Sequence, residues 1–349
     1  MTRRDAAKKA LWRLGVLTAL HRLCNRRRLT VVMFHRVLRP GAVGWRDADP
    51  LYTVSDTLFA ACLDFFKRHY RVIGLAEMLA ARDGVAPLPL RPLLITFDDG
   101  WADTATVALP LLTAAGLPAL VFPVSDPVRS NERLWWQEVL VTAIRHGRLD
   151  PAREAALWRA AAVPPSFNRR PPPPAVRPGD QLPELLAALA TLDAPVRREW
   201  LAPLAEPLEV GTPRHMLTSE ETRRLPPAGI AVGCHGASHA PLTAVSDIDA
   251  ELATARRDLN AVLGSAVTTL SFPHGRYNAT VLAAARARGF SLMFSSDPRL
   301  NPTPAGYVCH DLLGRISIPA PAITDPDGRF RPELLALRLF TAPVMMGSP

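Results

Sequence analysis

Two short segments carry the residue types from which a hydrolytic centre is built. The first is Thr96-Phe97-Asp98-Asp99-Gly100. Adjacent carboxylates at the end of an apolar run repel each other unless positive charge lies beside them, and a metal ion relieves that repulsion. One aspartate can then hold the ion while the other takes a proton from an attacking water. The second is His235-Gly236-Ala237-Ser238-His239. Histidines four apart meet on one side of a helical turn, a usual spacing for paired imidazole ligands. With Asp99 as an oxygen ligand, two imidazoles and one carboxylate leave positions open for water and substrate. Either segment alone also reads as ordinary structure: a helix cap beside a solvated acid, or histidines of surface or core. The metal reading rests on both following predicted strands.

A third segment, Ser271-Phe272-Pro273-His274-Gly275, ends another apolar run in a tight loop. Its backbone amides can face a tetrahedral oxyanion. His274 is a candidate acid or a plain loop histidine, and Arg276 and Tyr277 are candidates for a sugar-binding edge. His35 closes the first apolar run beside Arg36 and can reach the same cleft. His310 and Asp311 precede the last strand, with Arg315 expected at the rim. Trp45, Trp101, Trp135 and Trp136 can stack on sugars or simply pack, and Trp101 is preferred because it follows the aspartates.

These residues are spaced by an alternation of strand and helix. Strands are expected at 31–37, 71–75, 93–97, 119–124, 230–233, 270–272, 290–294 and 315–318. Helices are expected at 55–69, 77–82, 105–115, 134–146, 247–263 and 279–288. The alternation predicts a mainly parallel sheet, whose carboxyl ends are where ligands bind. Residues 147–215 break it with alanine-rich helical pieces and proline runs that no helix can pass through, and read as an insertion.

The chain has 349 residues, 48% of them apolar, enough for a sizeable core. Its formal charge of +9 favours anionic surfaces, but no zinc finger, Walker loop or aromatic-bearing arginine tail points to a specific nucleic acid. Cys24, Cys62, Cys234 and Cys309 are scattered and read as reduced thiols. The amino terminus sets Leu11, Trp12, Leu14, Leu17, Leu20 and Leu23 among arginines and lysines. It is too short and too interrupted to span a bilayer or to make a good signal peptide. Two readings stand: a basic amphipathic helix in a membrane interface, or a first helix packed on the fold. The expected location is the cytoplasm or the cytoplasmic membrane face.

Taken together, these segments resemble the polysaccharide deacetylases of carbohydrate esterase family 4, with their NodB homology domain. The resemblance runs through Val32–Val37, the Phe59–Ile73 block, Thr96–Gly100, Gly233–His239 and Ser271–Asn278, in the family's order. It implies a distorted (β/α) barrel of about seven strands with a helical, proline-rich insertion. The parts are a basic amphipathic helix (1–28), a first part of the barrel (29–146), the insertion (147–215), a second part (216–330) and a tail (331–349). It implies that Asp98 is the catalytic base and that Asp99, His235 and His239 hold one divalent ion, Zn2+ or else Co2+ or Ni2+. It places Pro273-His274-Gly275 where the family has its oxyanion loop. Two departures stand out. Many members have an arginine at the position of Ser271, which orients the base, and many have a late histidine as general acid. Leu312–Ile316 offers no histidine, so His274 and His310 stand in as catalytic candidates, and His35, Trp101, Pro273, Gly275, Arg276, Tyr277 and Arg315 as substrate contacts.

The expected activity is metal-dependent removal of an N-acyl group, most simply N-acetyl, from an amino sugar of a polysaccharide or oligosaccharide. The alternatives are a deacylase or deformylase of a lipid-linked sugar, supported by the basic amphipathic start, and a non-catalytic carbohydrate-binding or scaffold protein on a degenerate barrel. The expected partners are the N-acylated saccharide and, through residues 1–28, a membrane surface.

Overall fold

The computed structural model describes residues 3–46, 48–131, 133–161, 182–209 and 213–344. Its centre is a set of short parallel strands. We label them β1 (Arg28–Phe34), β2 (Arg71–Val72), β3 (Pro92–Asp99), β4 (Ala119–Pro123), β5 (Ile230–Val232), β6 (Thr269–Ser271), β7 (Leu292–Phe294), β8 (Leu312–Leu313) and β9 (Ile316–Ser317). β1 pairs with β3, β3 with β4 and β4 with β5, all parallel. Beyond β5 a single bridge, Cys234 to Leu270, leads to β6, which pairs in parallel with β7, and β7 with β8. The segment 312–317 then changes partner: β8 lies on β7, while β9 lies on β1. The path of pairings returns to its start through Gly314 and Arg315, a mixed α/β fold rich in parallel strands. A short antiparallel contact of Asn301–Pro302 with the start of β1 adds to that edge.

The sequence explains the elements locally. β3 is apolar until its last two residues and is buried throughout, as a parallel strand covered on both faces must be. The first helices are α1 (Arg3–Arg13), α2 (Val16–Cys24) and α3 (Asp56–His69). The Ser55 hydroxyl caps α3 by accepting from Leu58 N–H at 3.0 Å, and its Leu58, Phe59, Cys62, Leu63, Phe65 and Phe66 face the main core. α4 (Leu75–Arg82) and α5 (Leu109–Ala115) follow; α5 is preceded by a π-turn at Thr104–Ala108 and closed by Gly116.

Helices α6 (Trp136–Arg145), α7 (Pro151–Ala161), α8 (Leu182–Leu189) and α9 (Ala194–Glu209) build a core of their own, from Leu134 to Leu204. That core starts before residue 147, so α6 stands with the inserted helices rather than with the strands. The expected proline runs at 164–165 and 171–174 lie outside the described residues. α10 (Ile248–Leu263) is capped by Asp247 and ended by Gly264, and α11 (Ala279–Ala287) is capped by Asn278.

Two expectations fail here. The expected tail 331–349 begins with a packed helix: α12 (Pro332–Phe340) buries Leu335, Ala336, Leu339 and Phe340 in the main core. The expected strand 71–75 is two residues long, because Ile73 and Gly74 already turn into α4.

Gly233 shows how tightly β5 sits on its neighbours. A Cβ there would lie 2.5 Å from the Phe122 ring and from Thr269 Oγ1. Gly233→Ala is therefore expected to cost about 1–3 kcal/mol by overpacking, read as a lower urea midpoint with the slope unchanged. An unchanged midpoint would mean that β4 and β6 yield at no cost.

Candidate metal centre

Every element of the candidate centre arrives from the carboxyl end of a strand. Asp98 and Asp99 end β3, His35 follows β1, His235 follows β5, and Ser271 ends β6. The β3 exit is sharp: Asp99 and Gly100 both take left-handed φ, 70° and 85°. A Cβ on Gly100 would sit 2.7 Å from Pro123, so only glycine fits that turn. His239 (φ 64°) and His274 (φ 57°) are left-handed as well. Such conformations cost energy in non-glycine residues and cluster at functional sites.

Asp99, His235 and His239 come together, all buried, with their ligand atoms within 4.8 Å of one another. Asp99 Oδ1 lies 3.4 Å from Nε2 of each histidine. The histidines do not reach this arrangement on a helical turn. Residues 235–240 form a loop, with Gly236 and His239 both at positive φ. Side chains from three helices grip the loop. Glu251 of α10 accepts from the N–H groups of Ala237 and Ser238 at 2.8 Å and from the Ser238 hydroxyl at 3.0 Å. Arg197 of α9 donates to the Ser238 carbonyl at 3.1 Å. The side-chain amide of Gln137 on α6 lies 3.2 Å from His239 Nδ1.

The hydrogen bonds test whether this triad fits a cation. His235 Nδ1 donates to the Ser271 carbonyl at 2.9 Å; a carbonyl only accepts. In the neutral ring Nε2 then carries the lone pair, and that atom faces the Asp99 carboxylate. Two electron-rich atoms at 3.4 Å need positive charge between them, a proton or a metal ion. A carboxylate and two imidazoles with outer hydrogen-bond partners fit zinc or a similar divalent ion. Burial raises the Asp99 pKa, but His235 and His239 outweigh it and hold the carboxyl well below its usual range.

Asp98 lies beside the triad, near enough for His235 to bear on its carboxyl, and is paired with Arg315. The guanidinium donates from Nη1 to Oδ1 at 2.6 Å and from Nη2 to Oδ2 at 2.7 Å. It also donates to the Ser271 hydroxyl at 2.8 Å, to the Ser295 carbonyl at 3.0 Å and to Thr96 Oγ1 at 3.4 Å. Asp98 is 2% exposed and Arg315 0%. Burial pushes the Asp98 pKa up, yet Arg315 and His235 overcome it and leave it lowered.

Several expected roles change. Arg315 is no rim residue and no substrate contact: its N–H groups are spent inside the protein, two of them on Asp98. Trp101 is buried, and its indole N–H donates to Asp99 Oδ2 at 2.9 Å, so it orients a ligand instead of meeting sugar. Trp135 is buried on Trp101, with ring centroids 5.7 Å apart. Tyr277 donates to Asp297 at 2.8 Å and stacks on Phe272, bracing the loop. Pro273 is buried against Gly236, and Gly275 turns where a Cβ would strike Ser296; Arg276 alone of this loop's candidates is an exposed cation.

His310 is not brought to the cluster. It precedes β8, and Leu312 pairs with Met293 near the start of β7, at the opposite end from the carboxylates. His274 does arrive, with its ring 4.5 Å from that of His239 and Nε2 donating to the His239 carbonyl at 3.2 Å. Enclosure of the ring and the neighbouring His239 and His235 lower its pKa, which makes it a poor acid. His35 sits half-buried, close enough to bear on both carboxylates. Tyr52, an exposed aromatic that the sequence did not single out, meets its edge at 5.0 Å. Gln137 and Glu251 were also missed, since nothing in their spacing marks a polar residue that grips a loop distant in sequence.

Residues 183–293 match the polysaccharide deacetylase family. The resemblance read from the sequence is thereby shown, and with it a hydrolase of carbon–nitrogen bonds. The match takes in both histidines and the 271–275 loop, reaches back into the inserted helices and stops short of the aspartates on its amino-terminal side. Among solved structures, the chain is similar to the Streptococcus pyogenes deacetylase PplD in complex with acetate, at 16% identity, TM-score 0.56, covering 90% of this chain and 99% of that one. IcaB from Ammonifex degensii follows at 18% identity, TM-score 0.54, covering 90% and 97%. A de-N-acetylase from Aggregatibacter actinomycetemcomitans has 17% identity and TM-score 0.51, covering 82% and 94%. At such identities these structures speak for the fold. No curated protein sequence matches the chain.

Two substitutions separate the roles of the outer residues. Gln137→Leu is expected to weaken zinc affinity by roughly 10–100-fold with the fold intact, measured by chelator competition and circular dichroism. Unchanged affinity would make Gln137 a packing residue only. Arg315→Met strands a buried carboxylate and should cost about 3–5 kcal/mol of stability. With the guanidinium gone, burial is opposed mainly by His235 and the Asp98 pKa rises, so the acid limb of kcat/KM is expected to move to higher pH. A limb that stays in place would separate Arg315 from the base.

Proposed function

We propose that the protein removes the N-acetyl group from an amino sugar of a polysaccharide or oligosaccharide, in a metal-dependent hydrolysis. The reading is carried by one juxtaposition: a carboxylate and two imidazoles facing one point, beside a second carboxylate that Arg315 keeps ionised.

A divalent ion held by Asp99, His235 and His239, zinc in the simplest case, would supply Lewis acidity to the acetamido carbonyl and lower the pKa of a bound water. The chain's own groups do the rest. Asp98 accepts the proton of the attacking water on a lone pair that the Arg315 fork leaves free. The carbonyl carbon gains a C–O bond, and its oxyanion is met by the backbone amide of His274. The C–N bond then breaks, the nitrogen takes a proton, and acetate and an amine leave. We assign that proton to His35. It is half-buried and bears on both carboxylates, whereas His310 lies at the wrong end of the strands. Tyr52 offers an aromatic face for the sugar, and Arg276 a cation at the rim.

Ser271 in place of an arginine is the feature that suggests a degenerate, non-catalytic barrel. Arg315 weakens that reading, because it brings the same cation to the same carboxylate from another strand. A peripheral membrane contact through residues 1–28 belongs to this proposal, and the exposed leucines there support it.

The test pairs metal content with amine release from short N-acetylglucosamine oligomers. The parent should bind a divalent ion and release amine, while Asp99, His235 and His239 alanine variants lose both. Asp98→Asn should keep the metal and lose most turnover; loss of metal from that variant would make Asp98 a ligand. Metal without amine release would move the acyl group or the sugar. A parent that binds no divalent ion would end the metal-dependent reading.

His35→Ala is expected to lower kcat by about 10²–10⁴-fold at unchanged metal content and circular dichroism. An unchanged kcat in the variant would give the proton to another group.

A further inference from the structure

The two amino-terminal helices spend only one side on the fold. Inward, Trp12 stacks on Phe65 with ring centroids 5.7 Å apart, His21 stacks on Phe340 at 4.0 Å, and Leu17 is buried. Outward, Leu11, Leu14, Val16, Leu20 and Leu23 are exposed, Leu14 at 78% and Leu23 at 79%. Basic residues surround them: nine lysines and arginines stand against one aspartate between residues 3 and 28. Exposed Arg4, Arg13, Arg22, Arg26 and Arg27 flank the leucines. A leucine face edged by arginine is how helices lie in an anionic interface, where apolar burial and charge attraction add. Among the described residues no helix is long and apolar enough to cross a bilayer.

The position of this face matters as much as its composition. α2 runs directly into β1, which carries the chain from Arg28 to Phe34 and delivers His35 to the candidate centre. A seven-residue strand is roughly 23 Å long. Trp12 packs on the carboxyl end of α3, beside His69, and that end too lies at the amino-terminal side of the strands. The helices that carry the leucine face and the candidate centre are therefore at opposite ends of the strands.

We infer that the outer face of α1 and α2 docks peripherally on an anionic phospholipid bilayer and holds the catalytic cleft pointing away from it. The docking rests on the helix surface alone. Its consequence for substrate rests on the proposed deacetylase reading: a cleft turned from the membrane takes a saccharide that reaches into the aqueous phase, and not a sugar held at the lipid headgroup. This counts against the lipid-linked alternative, whose support was the same basic segment.

The experiment is sedimentation of the full chain with vesicles of phosphatidylcholine containing phosphatidylglycerol, beside pure phosphatidylcholine. Binding should appear only with the anionic lipid, fall with salt, and drop at least tenfold in Leu14→Glu/Leu23→Glu. That variant should keep its circular dichroism and its amine release from soluble oligomers, so failure of docking and failure of the deacetylase reading are told apart. For orientation, an environment-sensitive dye on Cys24, with Cys309→Ser, should shift to the blue on vesicles, while the same dye on Arg276→Cys, with Cys24 and Cys309 replaced by serine, should not. Equal sedimentation of parent and variant would overturn the docking face. A blue shift at position 276 would overturn the orientation. A parent that dimerises in the ultracentrifuge without lipid, and is monomeric as the double variant, would give the face to a second copy of the chain.

Discussion

A carboxylate with 2% of its surface exposed stays ionised only where a cation repays its lost hydration. In this protein the cation is Arg315, more than two hundred residues along the chain from Asp98. The planar fork matches the carboxylate atom for atom, a fit that a lysine could not make. The pair closes the structure as well as the chemistry. Gly314 and Arg315 lie where the chain leaves β7 for β1, so the residue that keeps Asp98 ionised sits at the seam of the strand path. Gly314 is fitted to that seam, since a Cβ there would fall 2.3 Å from Arg299.

The serine at position 271 acquires a physical meaning from this arrangement. An arginine on β6 would fill the space that the Arg315 guanidinium enters from β9's side. A serine leaves that space and adds a hydroxyl that accepts from Arg315 and donates to Asp98 at 3.2 Å. The carboxylate keeps a cation, supplied from another part of the chain. A motif scan that reads position 271 alone sees a loss. The electrostatics of Asp98 show a substitution of source.

How much was legible follows from the range of each interaction. Helix α3 was readable to within a residue because its cap and its apolar face are local, and so were α10 and α11, each with its asparagine or aspartate cap. The grouping of Asp99, His235 and His239 was readable because these residues come in tight clusters at strand ends. The partners of those residues were not. Trp101 was taken for a sugar platform because its position after the aspartates says nothing of its depth. Arg315 was placed at the rim because an arginine alone is more often exposed. The role of each is set by contacts across 100 residues or more, as with Gln137 on His239, or by burial, and neither leaves a periodic trace. His235 and His239 were expected on a helical turn and instead share a loop, since two glycine-like φ values can bring rings together at the same spacing.

That loop also gives the inserted helices a physical role. Gln137 and Arg197 come from α6 and α9, which have a core separate from that of the strands. Both reach the loop that carries the histidines, one at the His239 ring and one at the Ser238 carbonyl. Arg197 is fixed in turn by the Trp136 ring, 4.4 Å from its guanidinium carbon, and by the carbonyls at the end of α8. An element that packs by itself can shift as a unit. Here any such shift would carry Gln137 away from Nδ1 and loosen His239 in its left-handed conformation. The strands fix Asp98, Asp99 and His235, but His239 is held by the insertion as much as by the sheet, so the shape of the cluster is tied to how the inserted helices dock.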